Sequence, residues 1–321
     1  MRTTKSPRRV LRVAWEVAQR AMRPYSHRFS PKRFTQPQLF ACLALKEALK
    51  LDYRGTSALL QDAPELRAEV GLEFVPHFTT LQKASVRLLR SRRVQRLLDR
   101  TVERARRDKL IGPRIKLAAI DSSGFESHHA SRYFVARRKN WRKTKGKPRP
   151  TYRHFPKLGI LCDCASHLVL AAATEQGPRP DFGHAAPVLD DAERRIPIRC
   201  LLGDAGYDAE WIHMYARVVF GTRTIIPPLS GRPPTGPPRG YYRRLMSRRF
   251  DATNYHQRSQ AETTFSMIKR RLGEAVNARS YWAKHRALLL KVITYNILLL
   301  ALLIQVFYRA SMRPFRHFTA A

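Results

Sequence analysis

Tyr255, Arg258, Glu262 and Lys269 follow one another at spacings of three, four and seven residues. The stretch that holds them reads as a helix: Asp251, Thr253 or Asn254 can cap it, and neither Gly nor Pro interrupts it before Gly273. At 3.6 residues per turn the four side chains fall within an arc of roughly 60° on one face. One carboxylate, two cations and a phenol on that face suit a site that holds a metal through Glu262 and grips phosphates through Arg258 and Lys269. A solvated helix carries i,i+4 charge pairs as well, so this face alone leaves both readings open.

Two upstream segments place further acids at the ends of apolar runs. Ile115, Leu117, Ala118, Ala119 and Ile120 lead into Asp121-Ser122-Ser123-Gly124, a buried strand ending in an exposed acid. An aspartate after a strand is also an ordinary turn residue. Ile198, Cys200, Leu201 and Leu202 lead into Gly203-Asp204-Ala205-Gly206-Tyr207-Asp208, where the glycines allow a tight turn and a close approach of a ligand. Asp208 reads as the cap of the helix that follows. Glu126 and Asp208 are the substitute acids if one of the first three is not used.

These segments carry a resemblance. Tyr-x2-Arg-x3-Glu-x6-Lys is the signature of bacterial and archaeal insertion-sequence transposases with a DDE catalytic domain, and this chain matches all four positions. Asp121 resembles the first acid of that family, usually followed by Ser-Thr where this chain has Ser122-Ser123; Gly203 to Asp208 resembles the second segment. The resemblance covers about residues 35 to 305 and is weakest towards the N-terminus. It implies an RNase H-like domain in which Asp121, Asp204 and Glu262 are catalytic and hold two Mg²⁺ ions, with Mn²⁺ as a substitute. Hard oxygen ligands fit those ions and not zinc. It further implies cleavage at terminal inverted repeats and transfer of the freed 3′-OH to target DNA, with Tyr255, Arg258 and Lys269 on the DNA. Some relatives carry a β-rich insertion linked to a hairpin intermediate. The 57 residues between Asp204 and Glu262 are too few for it. A transposase-derived DNA-binding protein that does not cut, and an RNase H-like nuclease that cuts without joining, are the alternatives.

Composition points to the same partner. The 321 residues hold 61 Lys and Arg against 24 Asp and Glu, a net charge of +37. Such an excess destabilises a compact chain unless a polyanion relieves it, and double-stranded DNA is the expected one. A homodimer is expected when two DNA ends are brought together. From His128 to Arg153 there is no acid, and Arg137, Arg138, Arg142 and Lys143 stand among Tyr133, Phe134, Trp141 and Tyr152. We read this run as a basic hairpin or loop along the DNA backbone. Cys42, Cys162, Cys164 and Cys200 lack zinc spacing and read as reduced, mostly buried thiols. The basic N-terminus lacks the apolar core of a signal peptide, which leads us to expect a cytoplasmic, nucleoid-associated protein. The apolar stretch from Ala287 to Tyr308 contains Lys291, Asn296 and Gln305, as a core helix rather than a membrane span would.

The elements required to position these residues can be read in order. Apolar spacing predicts helices around 10–21, 37–49, 53–60 and 64–70, then one long basic helix, capped by Thr79 or Thr80, to about Arg107. A helix-turn-helix-like part is possible among them. Strands follow at 115–120, 157–163, 167–174, 198–202 and 222–226, with helices at 185–195 and 211–220. Ser230 to Phe250, rich in Pro, Gly and Arg, reads as an exposed loop, and a last helix from about Ala283 to Tyr308 covers the sheet. The chain is therefore expected to be α/β: a mixed sheet flanked by helices over 111–308, an all-α basic DNA-binding domain over 1–110, and a tail over 309–321.

Overall fold

A computed structural model describes residues 3–127, 155–229, 236 and 238–311. The chain divides into two compact units. One comprises Met1–Leu88, Gln95–Leu110 and Ile293–Ala321; the other comprises Leu89–Val94 and Ile111–Val292. The last helix, Tyr281–Ser311, passes from the second unit to the first at Ile293.

The first unit is helical. Ser6 caps Pro7–Ala21 by accepting from the N–H of Arg9. Thr35 and Gln38 close a reciprocal capping box on Gln36–Ala48. Asp52 caps Tyr53–Asp62. Pro64–Ala68 is followed by Gly71 in the left-handed region, at φ 64°. The expected single basic helix is instead two, Phe78–Leu88 and Ser91–Arg107, with a bend at Leu89 and Arg90. The bend leaves both Leu88 and Leu89 buried. Nor is Thr79 a cap: the helix already begins at Phe78, and the Thr79 hydroxyl is engaged by the His77 ring. Glu69 takes both Arg8 and Arg12, and Arg104 lies between Glu16 and Asp108.

The second unit is built on a five-stranded sheet in the order β3-β2-β1-β4-β5. The strands are β1 (Ala118–Gly124), β2 (Phe155–Asp163), β3 (Val169–Gly177), β4 (Cys200–Leu202) and β5 (Arg223–Ile225). β1, β2 and β3 are antiparallel neighbours; β4 and β5 run parallel to β1. The β2–β3 turn is tight because the Asp163 carboxylate accepts from the N–H and hydroxyl of Ser166. The parallel strands need crossovers, and helices supply them. Ala185–Arg195 precedes β4, and Glu210–Met214 with its π-helical extension Tyr215–Val219 precedes β5. Helix Ser259–Leu272 packs on the sheet, where Ala261 joins Ala119, Cys162, Cys164, Cys200, Leu202 and Ile225 in one apolar cluster.

Two sequence expectations are corrected here. β1 does not end before Asp121 but runs through it to Gly124, because β2 pairs with it as far as Gly124 opposite Lys157. Part of the expected loop between Ser230 and Phe250 is a helix, Tyr241–Arg248. Its first N–H groups have a distant partner: the Glu210 carboxylate accepts from the backbone N–H of Tyr242 at 3.0 Å and of Arg243 at 3.1 Å.

All four cysteines are free and buried, and burial pushes the thiols of Cys42 and Cys162 up to about 12. The segment Tyr281–Leu302 is long and apolar enough to cross a membrane, yet most of it is buried inside the fold. Lys291 donates to the carbonyl of Leu272, and Asn296 donates to Thr101 at 3.1 Å. Such satisfied polar groups belong to a core helix.

His184 lies against β2 at Gly159, where a Cβ would stand 2.3 Å from the ring Nε2. Gly159→Ala therefore forces overpacking and should cost about 1–3 kcal/mol, lowering the thermal midpoint by roughly 2–4 °C for each kcal/mol. Circular dichroism melting of Gly159→Ala and of Gly159→Ala/His184→Ala checks this. The double variant should recover part of the loss, and equal midpoints for Gly159→Ala and the parent would contradict the close packing of ring and strand.

Candidate active site

β1 has different neighbours on its two sides. β2 pairs along its whole length, whereas β4 pairs only Leu201 with Ala118 and Leu202 with Ala119. Continuing that parallel register by two residues brings Asp204 beside Asp121, where no strand separates them. Asp121 and Ala119 share one face of β1, the face on which helix Ser259–Leu272 packs. Glu262, in the first turn of that helix, comes from above.

The electrostatics agree with this convergence. Burial pushes the Asp121 carboxyl up to about 6; the Ser122 N–H, donating at 2.8 Å, opposes the rise, while the charges of Asp204 and Glu262 add to it. Asp204 accepts from the N–H of Gly206 at 2.9 Å and so caps a short 3₁₀ turn, Ala205–Tyr207. Asp121, Ser122, Ser123, Glu262, Phe265, Ser266, Lys269, Arg270 and Glu274 line a cavity of about 420 Å³.

The signature residues sit as follows. Asp251, of the three candidate caps, holds the helix start by accepting from Asn254. A 3₁₀ turn, His256–Arg258, joins Ala252–Tyr255 to the longer helix, so the four side chains do not ride on one uninterrupted α-helix. Arg258 donates to the Glu262 carboxylate one turn away. The Lys269 ammonium stands 5.2 Å from the centre of the Phe125 ring. Tyr255 is half-buried with its ring edge-on to Phe250 at 4.9 Å. Arg137, Arg138, Arg142 and Lys143 lie outside the described residues.

The two substitute acids have other duties. Asp208 is not a helix cap: its carboxylate receives two guanidinium nitrogens of Arg243 and, at 2.6 Å, the N–H of Leu229. Burial alone would raise its carboxyl, but the nearby His213 ring and the hydrogen bonds from Arg243 and Leu229 hold it at about 2. Glu126 is exposed, and its backbone bridges to Ala275. Sequence reading missed Asp181, which sits in a short 3₁₀ turn between β3 and the next helix. It takes the hydroxyl of Ser122 and the ammonium of Lys157. Nothing local in Arg-Pro-Asp-Phe-Gly distinguishes it from a turn aspartate.

Among the described residues no three His, Cys, Asp or Glu side chains stand close enough together to hold a metal as placed. The donor chemistry nevertheless fits a hard divalent cation. Three carboxylates bear on one another at Asp121, and the cation beside them, Arg258, is bound to Glu262.

The raised Asp121 carboxyl has a consequence for stability. The fold disfavours its charged form, so the penalty is absent below the ordinary value of 3.8 and complete above about 6. In EDTA at pH 7.5, Asp121→Asn should be more stable than the parent by roughly 1–3 kcal/mol. At pH 4 the gain should vanish. Urea unfolding at both pH values checks this, and a destabilised variant at pH 7.5 would contradict it.

Residues 112–297 match the family model of the transposase DDE domain. Comparison with curated proteins found no match. The matched span is more than half of the chain and takes in all five strands, Asp121, Asp204 and Glu262. Its mixed five-stranded sheet flanked by helices is of the RNase H-like kind. On this match the chain belongs to the transposase DDE domain family.

Proposed function

We propose that this protein is a DNA transposase that cleaves at the terminal inverted repeats of an insertion sequence and joins the freed 3′-OH ends to target DNA. The observation that carries the reading is the charge of Asp204 and Glu262 felt at the buried Asp121 carboxyl, within a transposase domain. Members of this family generally use divalent metal ions. Asp121, Asp204 and Glu262 would hold two Mg²⁺, with Mn²⁺ as a substitute. When bound, such ions activate the attacking water or 3′-OH and neutralise the leaving oxygen of an in-line displacement at phosphorus.

The protein's own groups have distinct tasks in this reading. Asp121 must be ionised, which the site permits above about pH 6. Arg258 and Lys269 grip phosphates beside the scissile bond, and Tyr255 contacts the transposon end. Arg258 is held by the Glu262 carboxylate. A phosphate arriving at Arg258 frees Glu262 for the metal. We further propose that residues 1–110 form a DNA-binding domain and 111–308 the catalytic domain, with 309–321 a tail. Arg137, Arg138, Arg142 and Lys143 would track the backbone of double-stranded DNA. The ends would be synapsed by a homodimer in the nucleoid. A nuclease of the same fold would cut without joining, and a strand-transfer assay with labelled ends separates the two.

Two measurements test the assignment. Changing Asp121, Asp204 or Glu262 singly to Asn or Gln should abolish cleavage while DNA binding, followed by gel shift, stays largely intact; cleavage by Glu262→Gln would remove that acid from the mechanism. Arg258→Ala should lose a charged contact of about 1.5–3 kcal/mol, a fall in cleavage of roughly ten- to a hundred-fold. Mg²⁺ titration of that variant discriminates further. If excess Mg²⁺ restores the full rate, Arg258 serves Glu262 and the metal and not the DNA phosphate.

A further inference from the structure

The face of the sheet opposite Glu262 carries a polar network that the reaction above leaves unused. Ser122 alternates with Asp121 along β1 and lies opposite Gly159 of β2, where His184 packs. The Ser122 hydroxyl donates to Asp181 Oδ1, and its backbone N–H donates to Asp121 Oδ1 at 2.8 Å. Lys157, almost fully buried on β2, pairs with the same Asp181 oxygen and donates to the Arg179 carbonyl at 2.6 Å. Tyr207, also buried, meets His184 Nε2 at 2.9 Å, and its N–H donates to the Asp204 carbonyl at 3.0 Å. The second Asp181 oxygen faces Gly206. A Cβ there would stand 3.5 Å from it and 3.0 Å from Asp204 Oδ1. Three aspartates thus gather at one end of the sheet, and Lys157 is the cation that offsets the third.

We infer that Asp181, clamped by Lys157, is a positioning residue: it fixes Ser122, and through the Ser122 N–H it fixes the carboxylate of Asp121 that the reaction requires. The inference rests on the proposed role of Asp121 in holding a divalent cation. Asp181 is linked to Ser122 through Oδ1, which serves both the ammonium and the hydroxyl; direct ligation by its second oxygen is the rival that the double variant below separates. A hydrogen-bonded backing of this kind sets a ligand's orientation, and its loss typically costs about 10–100-fold in metal affinity. The chain of contacts also predicts a pattern. Cutting it at Asp181 or at Ser122 breaks the same connection, so the two changes cannot act independently.

The experiment uses the full-length protein, with Mn²⁺ as the probe. Binding is read directly by electron paramagnetic resonance without DNA, and separately from the Mn²⁺ dependence of cleavage. Asp181→Asn and Ser122→Ala should each weaken Mn²⁺ binding by about ten-fold or more, and the double variant should be no weaker than the poorer single. Losses that multiply would make Asp181 an independent ligand and overturn the inference. So would unchanged Mn²⁺ affinity in both singles. Asp181→Asn leaves the Lys157 ammonium buried without its anion and can unfold the chain. Asp181→Asn/Lys157→Met removes both partners and should show the same weakened binding in a folded protein. Asp121→Asn separates the two levels of argument: if it leaves Mn²⁺ binding intact, the proposed metal site fails; if it abolishes binding while Asp181→Asn does not weaken it, only the positioning role fails.

Discussion

Carboxylates gathered at one end of a sheet repel each other, and burial strengthens the repulsion because water no longer screens it. Asp121 is raised first by its burial and then by the charges of Asp204 and Glu262, and cations pair with the acids around it. Arg258 neutralises Glu262 on one face, Lys157 neutralises Asp181 on the other, and Arg243 neutralises Asp208 at the rim. Asp121 and Asp204 form no ion pair among the described residues; each is met by a backbone N–H instead. Beyond these N–H groups, Asp121 feels the opposing charge of Arg258. A neutral core of this shape would be more stable, so the two aspartates cost the fold stability.

Packing determines where those aspartates stand. β4 is three residues long and pairs with β1 at two positions, so the backbone is released just before Asp204. Gly203 makes the release possible: a Cβ there would press at 3.3 Å on Ile120, Ile226 and Tyr207 alike. The close approach of these three side chains fixes the path of the chain into Asp204, while the unbroken β1–β2 ladder fixes Asp121 from the other side. The relative position of the two acids is thus a property of the apolar core. Small changes in that core would reach the chemistry without touching a functional group.

The sequence revealed the parts whose signals are local. Apolar runs marked the five strands to within a few residues, the helix Ala185–Arg195 was legible from its amphipathic spacing, and the apolar last helix betrayed its burial through Lys291 and Asn296. Glycines and motif spacing singled out Asp121, Asp204 and Glu262. What stayed hidden depends on partners far away in the chain. Helix Tyr241–Arg248 lies in a segment whose composition suggests a loop, and its first turn is satisfied by Glu210, 32 residues earlier. Asp208 looks like a helix cap until Arg243, 35 residues on, takes its carboxylate. Asp181 reaches Ser122 across 59 residues. The bend at Leu89 and Arg90 is likewise invisible, since no Pro or Gly marks it.

These ion pairs leave the charge balance of the chain as it was. Of only 24 acids, Glu69 holds two arginines, Glu16 and Asp108 share Arg104, and Asp208 holds Arg243. Those four acids cancel four arginines, Arg8, Arg12, Arg104 and Arg243, so the net charge of +37 rests on the remaining residues. A polyanion relieves it by releasing its own counterions, which makes association with DNA strongly salt-dependent. A similar balance governs the candidate site. Arg258 holds Glu262 there, and an exposed i,i+4 pair is worth well under about 1 kcal/mol. A bidentate phosphate contact to a guanidinium is stronger than that. In the proposed function, a phosphate would outcompete so weak an ion pair and leave Glu262 free.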